Sequence, residues 1–175
     1  MLVPTIFRCI ANHGAMIRAV SIVRTIPLGG DAIVPLLRAR LEILEEASEH
    51  GTVVLAARVP GNASVAVPVR LRVRYPAPKS PRFGITIAAR DTPALYPRFR
   101  GDLELAKAGT NATKLMLSGE YHVPLGMLGR AFDATAGRGI APRGLEDLLE
   151  RLVADIMADV ARESDAAYRS GRYGG

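Results

Sequence analysis

At 175 residues, with 49% apolar and 23% charged side chains, the chain suits one domain with one core and is too apolar for a disordered polymer. A formal charge of +6 and a pI near 10.0 invite a nucleic-acid partner. Of the 23 basic residues, however, only Lys79, Lys107 and Lys114 are lysine. With alanine so plentiful, that bias reads as a GC-rich genome, and nucleic acid is not the expected partner. Cys9 is the sole cysteine, which excludes an internal disulfide and a cysteine-based metal cluster and suits a cytoplasmic protein. Tryptophan is absent, so many aliphatic side chains must build the core, each worth roughly 1.5–3 kcal/mol when fully buried.

The apolar run Leu2 to Phe7 is broken by Pro4 and is too short to span a membrane or direct export. Residues 1–15 are expected to be a flexible N-terminal arm, and a start at Met16 would account for them equally well. Residues 17–28 are rich in β-branched types and end at Pro27 and Gly29-Gly30, as a first strand would. Asp31 is placed to cap the helix that follows, and Pro35 lies near its first turn. Ile33, Leu37, Leu41 and Leu44 mark its buried stripe, and Gly51 ends it in the left-handed conformation.

From Thr52 to Val123 the period is two. Val53, Leu55, Ala57 and Val59 share a face before the turn at Pro60-Gly61-Asn62. Val69, Leu71, Val73 and Tyr75 then alternate with Arg70, Arg72 and Arg74, the pattern of a half-exposed antiparallel sheet. Pro68 marks an edge or a bulge. Residues 83–90 form another strand. Phe99, Gly101, Leu103 and Leu105 alternate with Arg98, Arg100, Asp102 and Glu104, and Gly109-Thr110-Asn111 turns the chain into residues 113–123. After Pro124 a helix begins, with a kink or break expected at residues 134–143, where Gly137, Gly139 and Pro142 fall. Leu145, Leu148, Leu149, Leu152, Val153, Ile156, Met157 and Val160 then give a long amphipathic helix. Residues 165–175 are expected to be a disordered tail.

A sheet with one polar face must bury the other, and the last helix carries the matching stripe. The fold class is therefore α+β: a curved antiparallel sheet of about six to seven strands wrapping a long C-terminal helix. That layout, together with Leu95-Tyr96-Pro97-Arg98-Phe99-Arg100-Gly101-Asp102-Leu103-Glu104-Leu105, Leu117-Ser118-Gly119-Glu120-Tyr121 and Pro124-Leu125-Gly126-Met127-Leu128-Gly129-Arg130, resembles the helix-grip family of START-like or SRPBCC domains. The likeness is to SRPBCC-like proteins of high-GC bacteria, over residues 16–164 as a single helix-grip domain. It implies an elongated cavity between sheet and helix for an apolar or amphipathic ligand. The broken closing helix and the compact first-strand region depart from the family and would shrink that cavity or move its mouth. A cavity well under about 300 Å3 would count against the ligand.

The resemblance transfers a shape and little chemistry. Tyr75, Tyr96, Tyr121 and Arg130 lie on the apolar face or near the expected mouth, and are the candidates for fixing a ligand; tyrosines that merely complete the core are the competing explanation. His122 shares a face with Glu120 and Ser118, which reads as the wet face of a strand. No two of the three histidines stand at metal-ligand spacing. Asp102 and Glu104 read as cross-strand ion-pair partners. There is no Walker loop, no dinucleotide fingerprint and no nucleophile elbow, so no cofactor and no metal are implied. The primary expectation is a small-molecule binding or carrier domain. The alternatives are a cyclase- or hydratase-like enzyme using the same cavity, and a module that binds an acidic partner through Arg70, Arg72, Arg74, Arg82, Arg90, Arg98 and Arg100. Insertion into a membrane is not expected, and oligomeric state is open.

Overall fold

Alternating side chains need strand neighbours on both sides, and the computed structural model supplies them; it describes residues 8–12, 15–58, 64–77, 80–91, 98–123 and 140–172. In chain order the elements are β1 (Arg8–Asn12), β2 (Ala15–Ile26), α1 (Gly30–Glu49), β3 (Val54–Arg58), β4 (Ser64–Arg74), β5 (Arg82–Ala89), β6 (Arg98–Lys107), β7 (Thr113–Val123) and α2 (Ile140–Arg172). The strands form one curled, seven-stranded sheet in the order β1-β2-β7-β6-β5-β4-β3, antiparallel throughout. Among the described residues no helix is long and apolar enough to cross a membrane.

Register decides which side chains meet. Tyr121 is the partner of both Arg18 and Phe99, and Phe99 of Ile87, so these four stand in one row across the inner face. Gly101 faces Gly119 on the same side of the sheet, one step further on. A methyl group built on Gly101 would stand 2.7 Å from both the Gly119 Cα and the Phe99 ring. Only glycine fits at this approach, and the Phe99 ring covers what the two glycines leave bare, a device that lets a sheet bend tightly.

α1 lies on the inner face through Ile33, Leu37 and Leu41. It also closes an open edge. β3 pairs with β4 only as far as Pro68, and β5 pairs with β4 from Val69 on, so from Leu71 onward the edge of β4 away from β5 has no strand beside it. Ser48 Oγ accepts from the Leu71 N–H (3.0 Å) and donates to the Glu45 carbonyl (2.7 Å), with the Leu71 carbonyl at 3.2 Å, while Glu45 Oε1 accepts from the Val73 N–H (3.0 Å). Side chains thus take the place of a missing strand, which explains a fully buried serine. α1 starts at Gly30 with Gly29 as its cap residue, so Asp31 sits in the first turn rather than at the cap. A carboxylate there still meets the positive end of the helix dipole. Gly51, at φ +76°, ends the helix in the left-handed region as expected.

α2 buries Leu145, Leu149, Leu152 and Ile156, at spacings that keep them on one stripe. Arg24 of β2 reaches Glu150 at 2.7 Å, Arg151 donates to the Val54 carbonyl, and Arg40 of α1 holds Asp159 in a two-pronged contact, its Nε 2.6 Å from Oδ2.

Three sequence expectations shift. Arg8–Asn12, inside the expected arm, pairs as β1 along the edge of β2 that would otherwise stand open. Pro142 lies in the first turn of α2, where a proline forfeits no helical hydrogen bond, and residues 134–139 of the expected kink or break lie outside the described residues. α2 continues to Arg172, through the expected tail; the exposed stretch Ala161–Ala166 is rich in helix formers and propagates the helix without packing. The expected helix start at 125–130 lies outside the described residues.

Candidate functional site

The inner face is where the sequence places a ligand, and the two helices fill much of it. Between α1, α2 and the sheet the void lined by Leu41, Leu71, Ile85, Leu103, Leu117 and Leu152 is about 20 Å3. That is room for about one water molecule and far from the roughly 300 Å3 at which small-molecule sites begin. This part of the grip is a packed core.

Of the four predicted ligand residues, Tyr96 and Arg130 lie outside the described residues. Tyr75 and Tyr121 both face inward, as the alternation requires, yet they do not meet: β7 and β4 are separated by β6 and β5, roughly 14 Å across the sheet. Tyr75 sits under α1. The Arg38 guanidinium lies 5.3 Å from its ring centre, and Phe83 meets it edge-on at 6.4 Å. Burial pushes the Tyr75 phenol well above its ordinary pKa, and the Glu45 and Glu42 carboxylates add to that rise. A phenol so placed stays neutral and works as packing.

Tyr121 is 1% exposed, four residues along β7 from Leu117, or roughly 13 Å from the packed void. Its row-mate Arg18 is a half-buried guanidinium at an inward-facing position of β2. Both are already engaged by contacts within the protein. The only other arginine at an inward-facing position of β2, Arg24, is consumed at the rim by Glu150 and the Val23 carbonyl. Away from the Arg38–Tyr75 stack under α1, the partnered positions of Arg18 and Tyr121 are where the strands of the inner face set charge and hydroxyl side by side. Sequence reasoning missed Arg18 because both faces of residues 17–26 are largely apolar; only the phase set by Val20 and Ile22 betrays it.

On the outer face the expected arginines assemble, with one exception. Arg90 turns away to cap α1, its Nη1 donating to the Glu49 carbonyl at 2.6 Å. Asp102 pairs with Arg82 at 2.7 Å and Arg74 at 3.8 Å, and the Arg82 hydrogen bond holds its carboxyl below the usual carboxylate range. His122 is exposed beside Arg98, its partner on β6, as expected of a wet face, and His50 Nδ1 lies 2.9 Å from the Glu46 carbonyl oxygen. Among the described residues no group of acidic, histidine or cysteine side chains is arranged to hold a metal.

No protein-family model and no curated protein matches the chain. Solved structures do. The Thermus thermophilus protein TTHA0849 superposes with a TM-score of 0.51 at 16% identity, over 81% of this chain and 98% of that one. Norcoclaurine synthase from Thalictrum flavum, in complex with dopamine and hydroxybenzaldehyde, gives a TM-score of 0.51 at 9% identity, over 83% of this chain and 88% of that one. The chain has the helix-grip fold. Identities this low carry the likeness to the fold and no further. Within the helix-grip frame, the packed void lies beneath the long helix, and the Arg18–Tyr121 row lies along the sheet from it.

Proposed function

We propose that this helix-grip domain, residues 16–164, binds or carries a small amphipathic molecule in the cytoplasm of a bacterial cell, without covalent chemistry. The ligand's polar head is met by Arg18 and Tyr121, and its apolar part lies along the Phe99 and Ile87 row toward the helices. The observation that carries this reading is a guanidinium and a phenol at partnered positions of β2 and β7 on a largely apolar inner face. Burying such groups is unfavourable unless they are satisfied, and an anionic or hydroxylated head would add to the satisfaction they already have. The 20 Å3 void supports placing the ligand away from the α1–α2 contact. Tyr96 and Arg130 belong to the same proposal as further polar contacts; Tyr75, stacked under Arg38, does not.

Titration with anilinonaphthalene sulfonate, an amphipathic fluorescent anion, tests this. The wild type should bind one equivalent saturably, and Arg18→Leu and Tyr121→Phe should each weaken it about tenfold while circular dichroism is unchanged. Absence of saturation, or equal affinity in wild type and both variants, would rule the interior site out.

A further inference from the structure

The outer face of the sheet carries a second site. Over it runs a groove of about 910 Å3, near the upper end of the roughly 300–1,000 Å3 of small-molecule sites. Its geometry follows from register. Arg72 and Arg74 stand on β4, Arg98 and Arg100 on β6, and between them β5 presents Gly84 and Thr86. Thr86 is the partner of Arg72 on one side and Arg100 on the other. Guanidinium groups thus flank Thr86 on both sides, while at Gly84 Arg74 lies over the floor and faces Asp102 on β6; the wall strands are roughly 10 Å apart.

Ion pairs do not use these arginines up. Arg72 makes one contact with Glu49 (3.0 Å) and keeps 61% of its side chain exposed, while Arg74 stays 81% exposed beside Asp102. Arg98 and Arg100 form no ion pair with any described residue. Glu120 faces Arg100 from β7 without closing on it, and its charge keeps an anion on the β5 side of Arg100. Like charges gathered over so small a floor repel one another, and an anion between them relieves that repulsion.

We propose that this groove binds a compact, soluble molecule bearing a diphosphate, seated over Thr86 and gripped by Arg72 and Arg100, with Arg74 and Arg98 at its ends. Guanidinium forks match phosphate oxygens two at a time, which the point charge of an ammonium does not. The groove lining holds a single ring, His122 on β7, too few for successive nucleic-acid bases to stack on. No apolar side chain stands out from it to enter a bilayer. The site is separated from the interior one by the thickness of the sheet and does not depend on it.

The test is an amide NMR titration of the full chain with inorganic pyrophosphate, with oligothymidylate and phosphatidylserine vesicles as comparison arms. Pyrophosphate should saturate and shift the amides of Gly84, Thr86 and Gly101 ahead of all others. Arg72→Ala and Arg100→Ala should each weaken it about tenfold, and Arg100→Lys, which keeps the charge and loses the fork, should weaken it less. Arg169→Ala, on the exposed end of α2, should leave it unchanged. Non-saturating or uniform shifts, or an equal loss with Arg169→Ala, would overturn the proposal. So would tighter engagement of the same amides by the oligonucleotide or the vesicles, which would assign the face to a polymer or a membrane. The rest of the amide spectrum, unchanged in each variant, reports that the fold is intact.

Discussion

Single residues decide how tightly this sheet curls. Gly101 and Gly119 approach so closely that a methyl on Gly119 would lie 2.5 Å from the Gly101 Cα, with backbone rather than a yielding side chain in the way. Gly101→Ala should therefore destabilise the protein by about 3 kcal/mol in urea unfolding, the upper range for overpacking. Gly109→Ala, where nothing lies within 4 Å, should change it by no more than about 0.5 kcal/mol. Equal effects would mean that the close approach is not where the sheet bends. The inward phase of Phe99, Gly101 and Tyr121 was readable from alternation alone, whereas the partnership of the two glycines was not, because pairing register is a property of two strands. Arg90 misled for a related reason: it continues the outward phase of β5 but lies past the strand's end, within reach of the α1 carbonyls.

At the scale of elements, the two helices are locked to each other as well as to the sheet. Asp159 of α2 accepts from Arg40 of α1 and from Arg162, and those hydrogen bonds hold its carboxyl below the ordinary carboxylate range. A carboxyl lowered in the folded state binds fewer protons there than in the unfolded chain, so its contribution is complete above the unfolded pKa of about 3.9 and fades as pH falls through the native value. Asp159→Asn should accordingly be less stable than wild type at neutral pH, with the difference shrinking below about pH 4; a constant gap down to pH 2 would show that charge is not the cause. Leu152, fully inside the grip, should cost about 3 kcal/mol when cut to alanine. Removing residues 165–175 should leave the melting temperature within about 2 °C, because Asp165, Ala166, Tyr168 and Arg169 are all exposed. The buried stripe of α2 was plain in its leucine spacing. Its extension to Arg172 was not, since helix propensity without an apolar stripe gives a weak periodic signal.

For the whole molecule, a curled antiparallel sheet closed by a long helix was legible because each part demanded the other: a half-polar sheet needs a cover, and an amphipathic helix needs a floor. What the cavity holds was not legible. Interior volume depends on how far two helices sink into a curved sheet, and the leucines of α1 and α2 sink far enough to leave about 20 Å3 between them. Edge closure was equally hidden, because Ser48 reads as an ordinary helix-end serine until β4 is seen to run bare beside it. The same fold then presents two chemically opposite faces, a largely apolar interior with Arg18 and Tyr121 at partnered positions and an arginine-walled exterior.

The central claim is that the interior still takes up a small molecule at the Arg18–Tyr121 end, and native mass spectrometry of the intact chain with a long-chain fatty acid measures that directly. The account predicts a one-to-one adduct, on material purified gently or after the acid is added, that Arg18→Leu largely abolishes. A bare polypeptide mass under both conditions, or an adduct indifferent to Arg18, would contradict it.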